Sequence, residues 1–485
     1  MKKLSPLLFP LLLLAGCKTV GPDFQRPETA ASGAYAQPGA IAKGPVAAQG
    51  QGPQLRWWES FGSPELDVLV NRALAQNHSL AASVATLERV GERARAVTGQ
   101  AQPQTEANAR ISHQQVNLSG FGLDPGSFGV ALGNPEFTLY SVGGGISYDL
   151  DLFGGKRRAS ERALADAETQ LRETEAAHLT IAGRVVMQVL TIAALNDRIA
   201  AQQALVAEDE RNVRLTEAKR RGGEGTMVEV LSAQGQLAGD QAALPQIEQT
   251  RAEARNMLAV LLGVSPAELG ATPFSLTALR LPSEVPVTLP SELAAKRPDI
   301  LAAEARLHSA TAAIGVATAR LYPSITLGAS FEQSTRHPET LFNASSNGFN
   351  LFGGLTAPIL NGGTLKAEKR AVEAEARASA ARYQQTVLEA FGQISDLLAA
   401  LGNDASAVNL RSDAAAIANR SLALSRRSFQ VGNSGVLQVL DASRLAQQAQ
   451  LGLLDARAKQ LLDVARLYVA TAGGWTGQAV PPAQP

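Results

Sequence analysis

The chain has 485 residues, of which 45% are hydrophobic and 18% charged, so by length it can form about two to three domains with a large core. Lys and Arg total 44, as do Asp and Glu, and this balance does not predict binding to nucleic acid or to an anionic lipid surface. Only 5% of the residues are aromatic, and stretches rich in Ala, Gln and Arg favour long helices.

The N-terminus predicts export from the cytoplasm. An apolar run from Leu7 to Leu14 follows two lysines and is too short to span a bilayer as a helix. Residues 1–16 are therefore predicted to be a cleaved signal peptide. The sequence Leu-Ala-Gly-Cys ending at Cys17 is similar to a bacterial lipobox, in which the cysteine is acylated. An ordinary signal sequence with a chance cysteine is the alternative, and Lys18 in place of Asp implies sorting to the outer membrane.

A tether and an internal repeat follow. Residues 17–56 contain mostly Ala, Gly, Pro and Gln after position 27, too few apolar groups to fold alone, and predict an extended lipidated tether. Beyond it, three pairs of segments match in order at offsets of 208 to 220 residues: 77–82 with 297–302, 153–155 with 361–363, and 230–231 with 439–440. Two tandem copies explain this order, at 57–280 and 281–475, with 476–485 as a C-terminal tail.

Each copy is predicted to contain a helix, two strands, a long helix, a turn and a returning helix. The strands are expected within about 104–151 and 323–360, where small or apolar residues alternate with polar ones. Such alternation is typical of a transmembrane β-strand and equally of a half-buried hairpin. Because an open sheet edge is untenable in lipid, a chain with four strands must oligomerise if it spans a membrane.

Both long helices show heptad spacing, which indicates helices supercoiling along an apolar seam. The seam positions are Leu164, Leu171, His178, Val185, Ile192, Ile199, Val206 and Val213 in the first copy, and Val387, Ile394, Leu401, Val408, Ala415, Leu422 and Phe429 in the second. A helix from Gly155 to Arg221 would be roughly 100 Å long, which predicts a rod or a tunnel wall.

Glycine-rich turns end both long helices, at residues 222–226 and 431–435. Glycine adopts positive φ at low cost, so both segments predict hairpin turns at which the chain reverses. Pro245 is expected to kink or break the first returning helix.

Four motifs, in this order and spacing, resemble the TolC-like outer-membrane efflux proteins that work with resistance-nodulation-division pumps. They are Trp57-Trp58-Glu59-Ser60-Phe61, Lys296-Arg297-Pro298-Asp299-Ile300, Val439-Leu440-Asp441-Ala442 and Ala472-Gly473-Gly474-Trp475. The resemblance covers nearly the whole mature chain. It implies a mostly α fold with β: a homotrimer with a twelve-stranded β-barrel in the outer membrane and a long coiled-coil helical barrel in the periplasm.

The resemblance also implies a function and its sites. The protein would be a passive exit duct for drugs or other small toxic compounds, delivered by an inner-membrane pump through a periplasmic adaptor. Turn residues Gly223, Gly225, Gly432 and Gly435 would contact the adaptor, and Gln438, Asp441 and Arg444 would lie at the periplasmic aperture. Family members with two acidic residues at the aperture differ from this chain, whose Gln438 reduces the expected negative ring.

Asp441 and Arg444 are three residues apart and share a helix face. Each could bridge to a neighbouring helix and hold an aperture closed. Alternatively, the two form a surface ion pair worth less than about 1 kcal/mol.

Sites for enzymatic chemistry are not predicted. The five histidines do not pair at a metal-ligand spacing, and the glycines at 143–145 and 154–155 lack the Lys-Ser/Thr pair of a phosphate-binding loop. We therefore expect no catalytic residue, metal or other cofactor. Three alternatives stay open: a type I secretion duct of the same fold, a periplasmic coiled-coil scaffold or adaptor, and a lipoprotein enzyme with a helical accessory region.

Overall fold

The computed structural model describes residues 19–27, 46–49, 56–118, 134–287 and 290–471. The helices are α1 (Pro64–Gln76), α2 (His78–Gly99), α3 (Gly155–Arg221), α4 (Met227–Leu261), α5 (Pro290–Lys296), α6 (Pro298–Ala319), α7 (Thr364–Gln430) and α8 (Val436–Ala470). The strands are β1 (Val46–Gln49), β2 (Gln104–Gln115), β3 (Glu136–Asp149), β4 (Glu284–Val287), β5 (Ser324–Thr335) and β6 (Asn347–Thr356).

The predicted element order occurs in both halves of the chain. In each half a 22-residue helix (α2 or α6) precedes two antiparallel strands, a 67-residue helix (α3 or α7) and a 35-residue helix (α4 or α8). The prediction of a helix from Gly155 to Arg221 is confirmed, and the four long strands lie within the predicted segments.

The chain forms two compact units. Of the described residues, the strand unit comprises 19–26, 89–118, 134–168 and 305–381, and the helical unit comprises 27, 46–49, 56–88, 169–287, 290–304 and 382–471. The strand unit contains a four-stranded sheet of order β2-β3-β5-β6, in which every neighbouring pair is antiparallel.

The segment 19–27 packs against helices of the strand unit. The Arg158 side chain, which is buried, donates hydrogen bonds to the Val20 carbonyl at 3.2 Å and to an Asp23 carboxylate oxygen at 2.6 Å. Gly21, at φ +91°, approaches Gly315 so closely that an added Cβ would lie 2.5 Å from the Gly315 Cα. The chain is therefore held in place from Val20 onward, three residues after the predicted lipidation site.

The helical unit contains the main hydrophobic core. Trp57, Trp58 and Phe61 of the first motif are buried in it, and the Trp57 ring stacks on Tyr468 with centroids 5.2 Å apart. Strand β1 pairs in parallel with β4, so part of the predicted tether gains structure only by joining a strand from elsewhere in the chain.

Arg297 of the second motif connects three segments of the helical unit. Its guanidinium donates hydrogen bonds to the Asp299 carboxylate at 2.8 Å, to the Ala470 carbonyl at 3.1 Å and to the Gln393 side-chain oxygen at 2.9 Å. This motif therefore joins the start of α6 to α7 and to the end of α8.

The heptad seams are confirmed with one exception. The predicted positions are buried or half-buried in both long helices, except Leu164, which is 58% exposed. Among the described helices, α3 alone contains an 18-residue stretch apolar enough to cross a membrane. Since 56% of that stretch is buried within the protein, packing accounts for its composition.

Pro245 does not end the first returning helix, because α4 continues from Met227 to Leu261. Pro245 is exposed, as is Gln241 one turn earlier, so water can satisfy the carbonyl that loses its backbone donor. A break at this proline was the wrong alternative.

Candidate functional site

The strand register sorts the four-stranded sheet into one apolar and one polar face. Residues opposite each other in paired strands project from the same face, and faces alternate along each strand. The apolar face carries Ala107, Ala109, Ile111, Tyr140, Val142, Ile146, Tyr148, Ile325, Leu327, Ala329, Phe331, Phe349, Leu351 and Leu355. Phe349 and Leu351 are 81% and 72% exposed, so this face is available for contact with lipid.

The opposite face is polar. It carries Glu106, Asn108, Arg110, Ser112, Ser141, Ser147, Thr326, Ser330, Glu332, Ser334 and Asn350, with Phe137, Leu139 and Phe352 as apolar exceptions. A sheet with one lipid-compatible face and one hydrated face is the pattern of a membrane barrel wall.

The apolar face ends in polar side chains near the β2–β3 connection. His113 lies opposite Thr138 and its ring nitrogens contact the Thr138 hydroxyl at 3.1 Å and the Glu136 carboxylate at 2.7 Å. Gln333 and Asn347, on the same face, are also hydrogen-bonded to each other at 2.7 Å. The lipid-compatible band is thus bounded by groups suited to a membrane–water interface.

Backbone hydrogen bonds and a helix cap fix the first hairpin turn. Gly223 has φ +84°, and the amides of Gly222, Gly223 and Glu224 donate to carbonyls of the last turn of α3 at 3.0 Å each. Thr226 then begins α4 with a capping box: the Glu229 amide donates to the Thr226 hydroxyl, and the Thr226 amide donates to the Glu229 carboxylate. The chain reverses here because glycine tolerates the left-handed conformation.

The second turn is similar but has a weaker cap. Gly432 has φ +78°, and the Asn433 amide donates to the Ser428 carbonyl at 2.9 Å. The residue that begins α8 is Gly435, which has φ −82° and, within the described chain, no side-chain cap. Among the four predicted turn glycines, positive φ is therefore confined to Gly223 and Gly432, while Gly225 and Gly435 do not need glycine for their backbone angles.

The long helices are also linked near these turns. The Lys219 ammonium lies 3.8 Å from the centroid of the Phe429 ring, a cation–π contact between the last turns of α3 and α7. Large apolar side chains are exposed at both turns: Met227, Val228, Leu231, Val431 and Leu437. Exposed apolar groups clustered at chain reversals are a candidate contact surface.

The predicted aperture residues occupy the first three turns of α8. Gln438, Asp441 and Arg444 are all exposed, whereas Val439 and Ala442 face the core. Arg444 donates a hydrogen bond to Asp441 at 2.8 Å within the same helix. In one copy of the chain the two residues are thus an exposed ion pair.

A pair of carboxyl groups on α3 and α4, one buried and one half-buried, escaped the sequence analysis. Asp209 of α3 is 2% exposed and hydrogen-bonds to Asp240 of α4. The Gln202 amide donates to the Asp240 backbone carbonyl at 2.9 Å and to its carboxylate at 3.3 Å. Burial, and then the hydrogen bond and the charge of Asp240, raise the pKa of Asp209 to about 7.

A sequence signal for this pair did exist. Gln202, Asp209 and Thr216 lie seven residues apart, and all three are buried. They form a polar heptad stripe on α3 beside the apolar seam, which could have identified Asp209 as a buried acid. Only the fold supplies its partner, because Asp240 lies on the returning helix.

Four predicted features lie outside the described residues: the signal peptide at 1–16, the lipidation site Cys17, the fourth motif at 472–475 and the C-terminal tail at 476–485. In the described ranges, no cluster of three or more His, Cys, Asp or Glu side chains could hold a metal ion.

Residues 69–264 and 289–473 match the family described as outer membrane efflux protein, and the chain belongs to this family. It is therefore an outer-membrane channel of an efflux system and not an enzyme. This excludes the scaffold and lipoprotein-enzyme alternatives.

Named relatives agree with this assignment. The chain is 31% identical over 432 residues to the pyoverdine export outer membrane protein OpmQ of Pseudomonas putida, covering 89% of this chain and 91% of the relative. It is also 31% identical to the probable efflux pump outer membrane protein TtgC of Pseudomonas putida, covering 99% and 97%. The solved structure of the outer-membrane channel OprN superposes with a TM-score of 0.86 at 26% identity, covering 94% of this chain and all of that one.

Proposed function

We propose that three copies of this chain form a continuous duct, with a twelve-stranded barrel in the outer membrane and a helical barrel in the periplasm. The observation that carries the proposal is the sheet with one apolar and one polar face. In the part of the chain that the structure describes, the outer edges of β2 and β6 have no strand partner. Since unpaired edges cannot remain in lipid, other copies must supply the missing strands.

The internal similarity supplies a register for this pairing. The β2–β3 and β5–β6 hairpins correspond when their registers are superimposed. In this correspondence β6 is the counterpart of β3, and β2 is the counterpart of β5. If β6 of one copy pairs with β2 of a second copy as β3 pairs with β5, Leu355 lies opposite Ala109 and Leu351 lies opposite His113. These residues all belong to the apolar face, so the joined sheet keeps its lipid-facing and water-facing sides.

Periplasmic partners would engage the hairpin turns. The exposed apolar residues at the turns, of which Met227, Val228 and Val431 are examples, support docking of an adaptor that connects the duct to an inner-membrane pump. The duct itself would be passive. Drugs or other small toxic compounds are the proposed cargo.

Residues of α8 would hold the periplasmic aperture closed. Asp441 and Arg444 are exposed and already form an ion pair, and in a threefold ring either could exchange this partner for a neighbouring copy. Such an exchange requires little energy, because an exposed pair contributes less than about 1 kcal/mol. Gln438 would line the same opening without adding charge.

Lipidation at Cys17 would anchor the assembly in the outer membrane. Thr19 packs on Gly154, where an added Cβ would lie 2.6 Å from the Thr19 methyl carbon. Gly154 lies between the end of β3 and the start of α3. The docking of this segment supports acyl chains entering the leaflet beside the base of the barrel.

Electron microscopy of the detergent-extracted protein tests the assembly. We expect threefold particles with a hollow cylinder longer than about 100 Å, the length of a 67-residue helix at about 1.5 Å per residue. Monomers or thin rods would contradict the proposal. In cells, loss of the protein should increase accumulation of a fluorescent efflux dye, and re-expression should reverse the increase.

A further inference from the structure

The link between β6 and α7 (residues 357–363) is apolar and uncovered. Ile359 and Leu360 are 96% and 95% exposed, the highest values among the large exposed hydrophobic residues of the described chain. Gly362 and Gly363 follow at φ +60° and +85°, and no described atom lies within 4 Å of a Cβ added to either. Two adjacent aliphatic side chains in such a position mark a contact surface.

The corresponding link in the first half, residues 150–154 between β3 and α3, is covered. The Phe153 ring stacks on Tyr322 at 4.5 Å, and the Leu150 amide donates to the Ile325 carbonyl at 3.0 Å. A Cβ added to Gly155 would lie 3.0 Å from the Ala319 Cβ. This link therefore rests on the end of α6 and the start of β5.

The counterparts of those contact residues are the end of α2 and the start of β2. Helices α2 and α6 both have 22 residues, strands β2 and β5 both have 12, and Pro103 matches Pro323 between them. Gly99, the counterpart of Ala319, is exposed, and among the described residues no atom lies within 4 Å of a Cβ added to it. The α2 end thus has room for a link of the same kind.

The strand register proposed from the internal repeat leads to the same place. Extending the proposed β6–β2 register beyond Thr356 brings Ile359 opposite Thr105 and Leu360 opposite Gln104. These are the first two residues of β2, and four residues separate them from the end of α2 at Gly99.

We infer that Ile359 and Leu360 of one copy pack against the end of α2 and the start of β2 of the neighbouring copy. This inference rests on the proposed trimer. The contact joins two copies where strands give way to helices. It covers the second link from a neighbouring copy, whereas the first link is covered within one copy by contacts such as that of Phe153 with Tyr322.

Disulfide trapping tests the contact in the full-length protein extracted from outer membranes. Ile359→Cys combined with Thr105→Cys places two thiols on directly opposed positions, within the distance that a disulfide requires. Both side chains are exposed in one copy, so the substitutions preserve the fold. The mismatched control combines Ile359→Cys with Ile111→Cys, six residues further along β2 on the same face, which is about 20 Å away.

After mild oxidation, we expect the first pair to shift from monomer to covalent trimer on a denaturing gel, and to return to monomer on reduction. The mismatched pair and each single variant should remain monomeric on the same gel. Trimers by native mass spectrometry without a disulfide in the first pair, or with equal linkage in the mismatched pair, would overturn the contact alone. Monomers by native mass spectrometry in the unmodified protein would overturn the trimer, and the contact with it.

Discussion

Replacing Asp209 by asparagine should remove a pH dependence from the α3–α4 hairpin. Because the pKa of Asp209 is raised from 3.8 to about 7, the folded chain keeps a proton that the unfolded chain has lost over this range. The stability contributed by this proton is fully present below pH 3.8 and is lost as the pH rises through about 7. Above that pH, two neighbouring carboxylates repel each other.

The magnitude follows from the change in pKa. A rise from 3.8 to about 7 corresponds to about 4 kcal/mol, at about 1.4 kcal/mol per pH unit. Water entering around the ionised pair would recover part of this free energy. We therefore expect the free energies of unfolding of the hairpin in Asp209→Asn and in the unmodified protein to differ by about 2 kcal/mol at about pH 8. The substituted asparagine side chain is uncharged at every pH and can donate a hydrogen bond to Asp240.

Amide hydrogen exchange of the detergent-extracted protein measures this difference locally. At about pH 8, peptides covering residues 202–216 and 233–247 should exchange about 30-fold more slowly in Asp209→Asn than in the unmodified protein, as about 2 kcal/mol implies. At about pH 3.5, below both pKa values, Asp209 carries its proton in the folded and in the unfolded chain, so the two proteins should exchange alike. The control is Glu210→Gln, an equal change of charge at an exposed neighbour, which should have no such effect. Equal exchange of Asp209→Asn and the unmodified protein at the higher pH would refute the assignment of the proton.

Three further predictions concern the anchor, a turn and a core contact. Cys17→Ala should fold but be weakly anchored, and acylation that persists by mass spectrometry would disprove lipidation there. Gly432→Ala should destabilise the turn by about 1–2 kcal/mol because of its positive φ. Gly435 has φ −82° and no described atom within 4 Å of an added Cβ, so Gly435→Trp should leave assembly intact but abolish efflux; normal dye efflux in this variant would contradict adaptor contact. Arg297→Lys should lower the free energy of unfolding by about 2–3 kcal/mol, since a single ammonium cannot span the three acceptors, and an unchanged thermal midpoint would argue against the anchor role of Arg297.

Local patterns were sufficient to predict most elements from the sequence. The heptads and the flanking glycines delimit the long helix from Gly155 to Arg221, because helix periodicity and helix termini are encoded within a few residues. The alternation of small or apolar residues with polar ones located the four long strands, because strand periodicity is also encoded within a few residues. The motifs by themselves also indicated the family.

Features that depend on residues far apart in the chain required the tertiary structure. The strand register decides which side chains form the apolar face, since a slip by one residue would move every side chain to the other face. The raised pKa of Asp209 depends in part on Asp240. The exposure of Ile359 indicates a contact surface because the corresponding link in the first half, residues 150–154, is covered by other parts of the chain. The sequence by itself determined the long helices, the four long strands, the turns and the family, because these depend on local periodicity and on short motifs. The tertiary structure alone decided the two faces of the sheet, the partner of the buried Asp209 and the uncovered link, because each depends on which distant segments meet.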